Sequence, residues 1–139
     1  MFLLDTDTLI YSLKGHEAVV ENLKIHQRDP LRISAISLME LYYGAYKSEK
    51  IAANLAKVRR IENAFEILPV DFSIAETFGM IKSNLEYQGT PLDDFDLAIA
   101  ACALANNLTL VTNNERHFLR VEGLKLVNWT RAEYRHDPG

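Results

Sequence analysis

The sequence predicts an α/β fold: a three-layer α/β/α sandwich around a mostly parallel central sheet. Three observations predict it. Short apolar runs of strand length alternate with longer segments whose apolar residues recur at helical spacing, as in a parallel sheet covered by helices on both faces. The 139 residues are one domain's worth, enough to bury about two-thirds of the surface that the unfolded chain exposes. No internal repeat, low-complexity tract or Pro/Gly-rich linker divides them. Residues 1–139 therefore read as a single domain, with "RAEYRHDPG" (131–139) as a loose tail.

"FLLD" reads as a short buried strand. Leu9 to Gln27 follow as helix, interrupted near Gly15. "LRIS" is a second strand, and "SLMELYYGAYK" a helix begun by Ser37. There Ser37-Leu-Met-Glu40 fits a capping box, with Ile36 and Leu41 as its hydrophobic staple. "EKIAANLAKVRRIENAF" is the next helix, with Ile51, Leu55, Val58 and Ile61 at helical spacing. "EILPV" is a third strand, and "SIAETFGMIKSNLEYQG" a helix that stops at Gly89. A helix from about Asp93 to Asn106 has Asp93 at its cap and Asp96 in its first turn, where the helix dipole favours an anion. The strand "LTLVT", a short helical turn near Glu115 and the strand "KLVNW" complete the chain, with Thr112-x-x-Glu115 as another capping box.

Composition excludes several classes. A 48% hydrophobic and 24% charged chain is an ordinary globular one. No apolar run approaches the ~20 residues of a membrane span, and the N-terminus lacks a basic, cleavable leader, so no membrane is expected as a partner. The lone Cys102, inside "DLAIAACALA", rules out a disulfide framework. It reads as an inert core thiol in a reducing cytoplasm. Fifteen basic against nineteen acidic residues give −4, which does not by itself suggest a nucleic-acid binder. Local patches rather than the total govern phosphate contact, and an acid-rich metal site lowers the total.

In a doubly wound sheet, ligands bind beyond the carboxyl ends of the strands, where strand order reverses. Asp5 and Asp7 follow the first strand. Ser34 and Ser37 follow the second, with Glu40 close behind. Thr112, Asn113 and Asn114 follow "LTLV". Asp93, Asp94 and Asp96 open the helix that leads into that strand, so all four clusters can meet at one edge. Each cluster alone fits a cap or a turn. Capping, however, needs no convergence.

Electrostatics separates the two readings. Two carboxylates ~4 Å apart repel by about 4 kcal/mol at an effective dielectric near 20. Three such pairs approach the stability of a whole domain. Either one acid stays protonated or a cation sits among them. Oxygen-only donors select Mg²⁺ or Mn²⁺, and no Cys or His accompanies these acids to suggest zinc.

At these residues the chain resembles a PIN-domain ribonuclease, specifically the VapC-type toxins of bacterial and archaeal toxin–antitoxin pairs. The matching segments are "LLDTDTLIY", "ISAISLMELYYGA", "LDDFDLAIAACALANNLTLVTNN" and the following "RHF", in order over nearly the whole chain. The resemblance implies metal-assisted hydrolysis of an RNA phosphodiester, with Mg²⁺ or Mn²⁺ as cofactor. It puts the acidic residues on Asp5, Glu40 and Asp96, with Asp5 and Asp96 as direct ligands and Glu40 as a ligand or the holder of a bound water. Asn114 stands where many members have a fourth acid, and Asp7 where Asn is more usual. Asp7 or Asp94 would then supply the missing oxygen, and Thr6 and Thr112 would line the site. The implied partners are an RNA substrate, an antitoxin that inserts a basic or bulky segment into the site, and a second copy in a homodimer.

Other residues read more plainly. Lys47, Lys50, Lys57, Arg59 and Arg60 are either a solvated helix face or an RNA-facing rim. Tyr42, Tyr43 and Tyr46 read as core or dimer packing ahead of base stacking. His16, His26 and His136 read as surface or structural; His117, which follows the Asn113-Asn114 cluster, reads first as a structural hydrogen-bonding residue, with approach to a phosphate as the alternative. Ser34 and Ser37 lack a nucleophile elbow. Phe65, Phe72, Phe78 and Phe95 read as core. Two rival functions remain at this level. A phosphoacceptor signalling domain would use Asp71 of "PVD" but finds Thr130 and Arg131 where it wants a lysine. The other rival is a PIN fold that binds RNA or a protein without cutting.

Overall fold

The computed structural model of the chain describes residues 1–131, so the expected tail beyond Arg131, and His136 with it, lies outside the described residues. Within them, strands β1 (Phe2–Leu4), β2 (Leu31–Ser34), β3 (Glu66–Leu68), β4 (Thr109–Val111) and β5 (Leu126–Val127) alternate with helices. The helices are α1 (Thr6–Leu13), α2 (Glu17–Ile25), α3 (Ala35–Tyr46), α4 (Ile51–Ala64), α5 (Phe72–Tyr87), α6 (Asp94–Ala105) and α7 (Glu115–Phe118). The strands form one sheet in the order β3-β2-β1-β4-β5, with every pairing parallel.

Successive strand side chains point to opposite faces, and both faces here are covered. Leu3 and Leu110 pack with Ile74, Ile81, Leu97 and Phe118 under α5, α6 and α7. Leu4, Ile33 and Val111 pack with Leu9, Leu38, Leu41, Val58, Ile61 and Trp129 on the other face. Neighbouring strands are in register, Leu4 beside Ile33 and Val111, so each layer is continuous across the sheet. Chain order reverses at β1, which lies between β2 and β4. The crevice beyond its carboxyl end is the fold's natural ligand position.

Helix ends follow local chemistry, and here the structure corrects several expectations. The first helix begins at Thr6 rather than Leu9, because Asp5 caps it through Thr8 N–H at 2.8 Å. It breaks at Gly15, whose φ of +75° suits glycine. α3 is capped by Ser34, which accepts Ser37 N–H at 3.1 Å, so the Ser37–Glu40 capping box does not form. A cap three residues earlier leaves Glu40 free to reach another element. The Thr112–Glu115 box is also absent. Thr112 Oγ1 accepts Asn114 N–H at 3.0 Å, and Glu115 instead pairs with Arg131. α5 ends at Gly89 in a Schellman turn, with Thr90 N–H on Leu85 O at 2.9 Å and Gly89 N–H on Glu86 O at 3.1 Å.

The last described residues are held by hydrogen bonds to α2. Asn22 Nδ2 donates to Trp129 O at 3.0 Å and to Arg131 O at 2.9 Å. His26 stacks on Trp129 with ring centroids 4.8 Å apart, and His16 caps α2 through Val19 N–H, so both have structural roles. Cys102 is buried, which raises its thiol pKa to about 11. Two aromatic expectations fail. Phe72 is 96% exposed and Phe95 is exposed too, both in the first turn of a helix; Phe78 and Phe65 are half-buried. Tyr43 and Tyr46 are exposed rather than core, and Tyr42 donates to Glu62 at 3.1 Å.

Candidate active site

Each acid arrives at the β1 crevice for a local reason. Asp5 ends β1 and caps α1, so its buried carboxylate is fixed by the strand-to-helix turn itself. Asp7 follows in the first turn of the same helix. Glu40 projects from α3, where Thr6 Oγ1 donates to its Oε1 at 2.6 Å. Asp96 lies in the first turn of α6, its backbone N–H held by the Asp93 cap at 3.2 Å. The result is one small cavity of about 30 Å³ lined by Asp5, Thr6, Asp7, Glu40, Asp96 and Ile99. That is room for about one water or one ion.

The field in this cavity is one-sided. Burial raises the Asp5 pKa to about 6, against hydrogen bonds from Thr112 and Thr8 and with a push from the Asp7 charge. Asp96 also rises to about 6, from burial and then from the charges of Asp93, Glu40 and Asp7, which His117 partly opposes. Burial likewise raises Glu40, with Asp93 and Asp7 adding to it and the Thr6 hydroxyl opposing. Among the described residues no ion pair reaches Asp5, Asp7, Glu40 or Asp96.

The donor set suits an oxygen-seeking divalent ion. As arranged, no three acidic, histidine or cysteine side chains among the described residues close on a single point.

The expected residues divide as follows. Asp5, Thr6, Asp7, Glu40 and Asp96 line the cavity. Thr112 sits behind Asp5 as a hydrogen-bond partner. Asn114 joins from α7, its Nδ2 on Asp7 Oδ2 at 3.2 Å. Asn113 is turned aside, its Nδ2 on the Tyr11 hydroxyl at 3.3 Å. Asp94 does not line the cavity. It forms an ion pair with Lys82 at 3.0 Å, because two residues of helix rotate it well away from Asp96. Asp71 caps α5 through Ile74 N–H at 3.0 Å beside the edge strand β3, far in sheet order from the crevice, which removes the phosphoacceptor reading.

Sequence reasoning placed Asp93 in the converging acidic cluster and at the helix cap but left it out of the site residues; its charge bears on both Glu40 and Asp96. The three acids of "LDDFD" were the available signal. It also missed a mostly apolar groove of about 270 Å³ that runs from Glu40 between α1, α3 and α4, lined by Ile10, Leu13, Leu41, Ala45, Lys57 and Val58 among others.

The family model of the PIN domain matches residues 2–124. A tRNA(fMet)-specific endonuclease VapC from Shigella flexneri is 37% identical over 129 residues, covering 93% of this chain and 98% of that protein. The crystal structure of DNA-bound VapBC from Salmonella typhimurium superposes with a TM-score of 0.87 at 38% identity, covering 92% of this chain and 97% of that one. VapBC2 from Rickettsia felis, bound to a DNA fragment from its promoter, gives 0.86 at 34% identity, with coverages of 92% and 98%.

Proposed function

The chain belongs to the PIN-domain family, with VapC ribonucleases as relatives over nearly all of its length, and from that premise we propose that it is a divalent-metal-dependent endoribonuclease acting as the toxin of a toxin–antitoxin pair. The observation that carries this reading is the single cavity shared by Asp5, Asp7, Glu40 and Asp96, to which no ion pair reaches among the described residues.

Asp5 and Asp96 would hold the ion directly, with Glu40 as a third ligand or the holder of a bound water. When bound, the ion neutralises phosphate charge and activates the attacking water. The protein's own residues prepare the site for it. Thr112 and Thr8 fix the Asp5 carboxylate, Thr6 fixes Glu40, and the Asp93 cap fixes the turn that presents Asp96. Ile99 supplies an apolar wall that limits water.

The antitoxin is the inhibitory partner. The apolar groove beside Glu40 receives an amphipathic segment of it, and a basic side chain at the end of that segment takes the cation's place among the acids. The exposed Tyr43 and Tyr46 on α3 belong to a homodimer surface. The protein works in the cytoplasm, in keeping with its lone buried thiol.

Purified protein incubated with initiator tRNA and with other RNAs, with Mg²⁺, with Mn²⁺ or with EDTA, tests the proposal. Cleavage that needs the metal and is lost in Asp5→Asn supports it. Metal-independent cleavage, or none with any RNA, overturns it.

A further inference from the structure

Glu40 is not held by its own helix. The Thr6 hydroxyl, from the first position of α1, reaches across to it at 2.6 Å, the shortest contact in a row of buried hydroxyls. Thr6 Oγ1 also lies 3.1 Å from Ser37 Oγ, which lies 3.4 Å from Ser34 Oγ. Thr6, Ser37 and Ser34 are only 8%, 0% and 1% exposed, so solvent does not substitute for these partners.

Counting protons gives the row a direction. Thr6 has a single proton, and a carboxylate is the strongest acceptor within its reach. With that proton committed to Glu40, the Thr6–Ser37 contact is satisfied only by Ser37 donating to Thr6. Ser37 in turn accepts from Ser34. Ser34 Oγ accepts the Ser37 backbone N–H at 3.1 Å while donating its own proton onward. Every hydroxyl then donates once and accepts once, and the row ends on the Glu40 carboxylate. Chains polarised in one direction strengthen each bond.

We infer that Thr6 is a positioning residue for Glu40, with Ser37 and Ser34 fixing the direction of its proton. Glu40 has three side-chain torsions and is only half-buried, so without this bond it visits several rotamers. Tying Oε1 to Thr6 leaves the other carboxylate oxygen for a ligand in the cavity. It also couples the β1–α1 turn that carries Asp5 to the helix that carries Glu40.

This inference rests on reading the cavity as a divalent-cation site, and Mn²⁺ binding to the full chain tests the two separately. Titration of the protein with Mn²⁺, followed by electron paramagnetic resonance, should show Thr6→Val binding roughly 10- to 100-fold more weakly than wild type, as for other residues that orient a ligand. Thr6→Ser keeps the hydroxyl and should recover to within a few-fold; Ser37→Ala should lose less than Thr6→Val. RNA cleavage by Thr6→Val should lose kcat with KM little changed at saturating metal. Should Thr6→Val fail to fold by its melting curve, Ser37→Ala and Thr6→Ser carry the test. Wild-type affinity in Thr6→Val overturns the inference, as does a Thr6→Ser variant as weak as Thr6→Val. Where Thr6→Val does not fold, wild-type affinity in Ser37→Ala overturns it. A wild type that binds no Mn²⁺ overturns the cation reading and this inference together.

Discussion

Asn114 donates its side-chain amide to Asp7 across 3.2 Å and so joins the cap of α7 to the first turn of α1. The resemblance stated from the sequence puts an acid at 114 and an amide at 7. Here the two are exchanged, and the contact retains one carboxylate and one amide. Asp7→Asn should therefore weaken Mn²⁺ binding and RNA cleavage. Asn114→Asp alone should set two carboxylates against each other, a repulsion of about 4 kcal/mol at ~4 Å before relaxation, and lower the melting temperature without metal. The double variant Asp7→Asn/Asn114→Asp should recover much of both losses. Nuclease assays and melting curves on the three proteins check this, and a double variant as inactive as Asp7→Asn would refute the exchange.

Asp5→Asn separates chemistry from architecture at a single residue. Asparagine caps a helix about as well as aspartate, so the Asp5–Thr8 bond and α1 survive the change. The buried charge goes, and with it on the order of 2–3 kcal/mol of destabilisation near neutral pH. Metal-free Asp5→Asn should melt above the metal-free wild type at pH 7.5 while cutting no RNA. Asp5→Ala should lose the cap and melt below Asp5→Asn by about 1 kcal/mol.

The pH dependence follows from the same acids. Asp5 and Asp96 titrate near 6 in the fold against an ordinary 3.8, so the fold favours their protonated forms. Their contribution to stability is complete below about 3.8 and is lost as the pH rises through about 6. In EDTA, the difference in stability between wild type and an Asp5→Asn/Asp96→Asn double variant should widen, against wild type, between pH 4 and pH 7, on the order of a few kcal/mol. Mg²⁺ or Mn²⁺ at pH 7.5 should close that gap, because the ion binds the deprotonated acids. Urea or thermal melts at a series of pH values, with and without metal, measure it.

The elements were legible because each layer is written in a single period. The alternation of "FLLD", "LRIS" and "LTLVT" with amphipathic helices predicts the parallel sheet and the strand ends where Asp5, Ser34 and Thr112 sit. Cap assignments were less legible, since Ser34 and Ser37 are chemically equivalent candidates three residues apart, and only the end of β2 selects Ser34. The Thr6–Glu40 bond spans 34 residues and has no local signature. Neither has the hold of Asn22 on the backbone of Trp129 and Arg131. Phe72 and Phe95 misled for a related reason: apolar character suggests core, but both sit in the first turn of a helix and stay exposed.

Asp94 and Asp96 stand two residues apart in "LDDFD", and the sequence does not say which of them serves the site. The helix does. Two residues turn a side chain through roughly 200°, so one cannot line the β1 crevice beside the other. Asp96 faces the cavity, and Asp94 meets Lys82 at an exposed ion pair with a 3.0 Å contact. Exposed pairs of this kind contribute about 0–1 kcal/mol. Asp94→Asn should accordingly keep wild-type RNA cleavage and Mn²⁺ affinity and lose less than about 1 kcal/mol of stability, while Asp96→Asn abolishes cleavage. Side-by-side nuclease assays and melts of the two variants decide it: loss of cleavage in Asp94→Asn with the fold intact would place the wrong acid in the site.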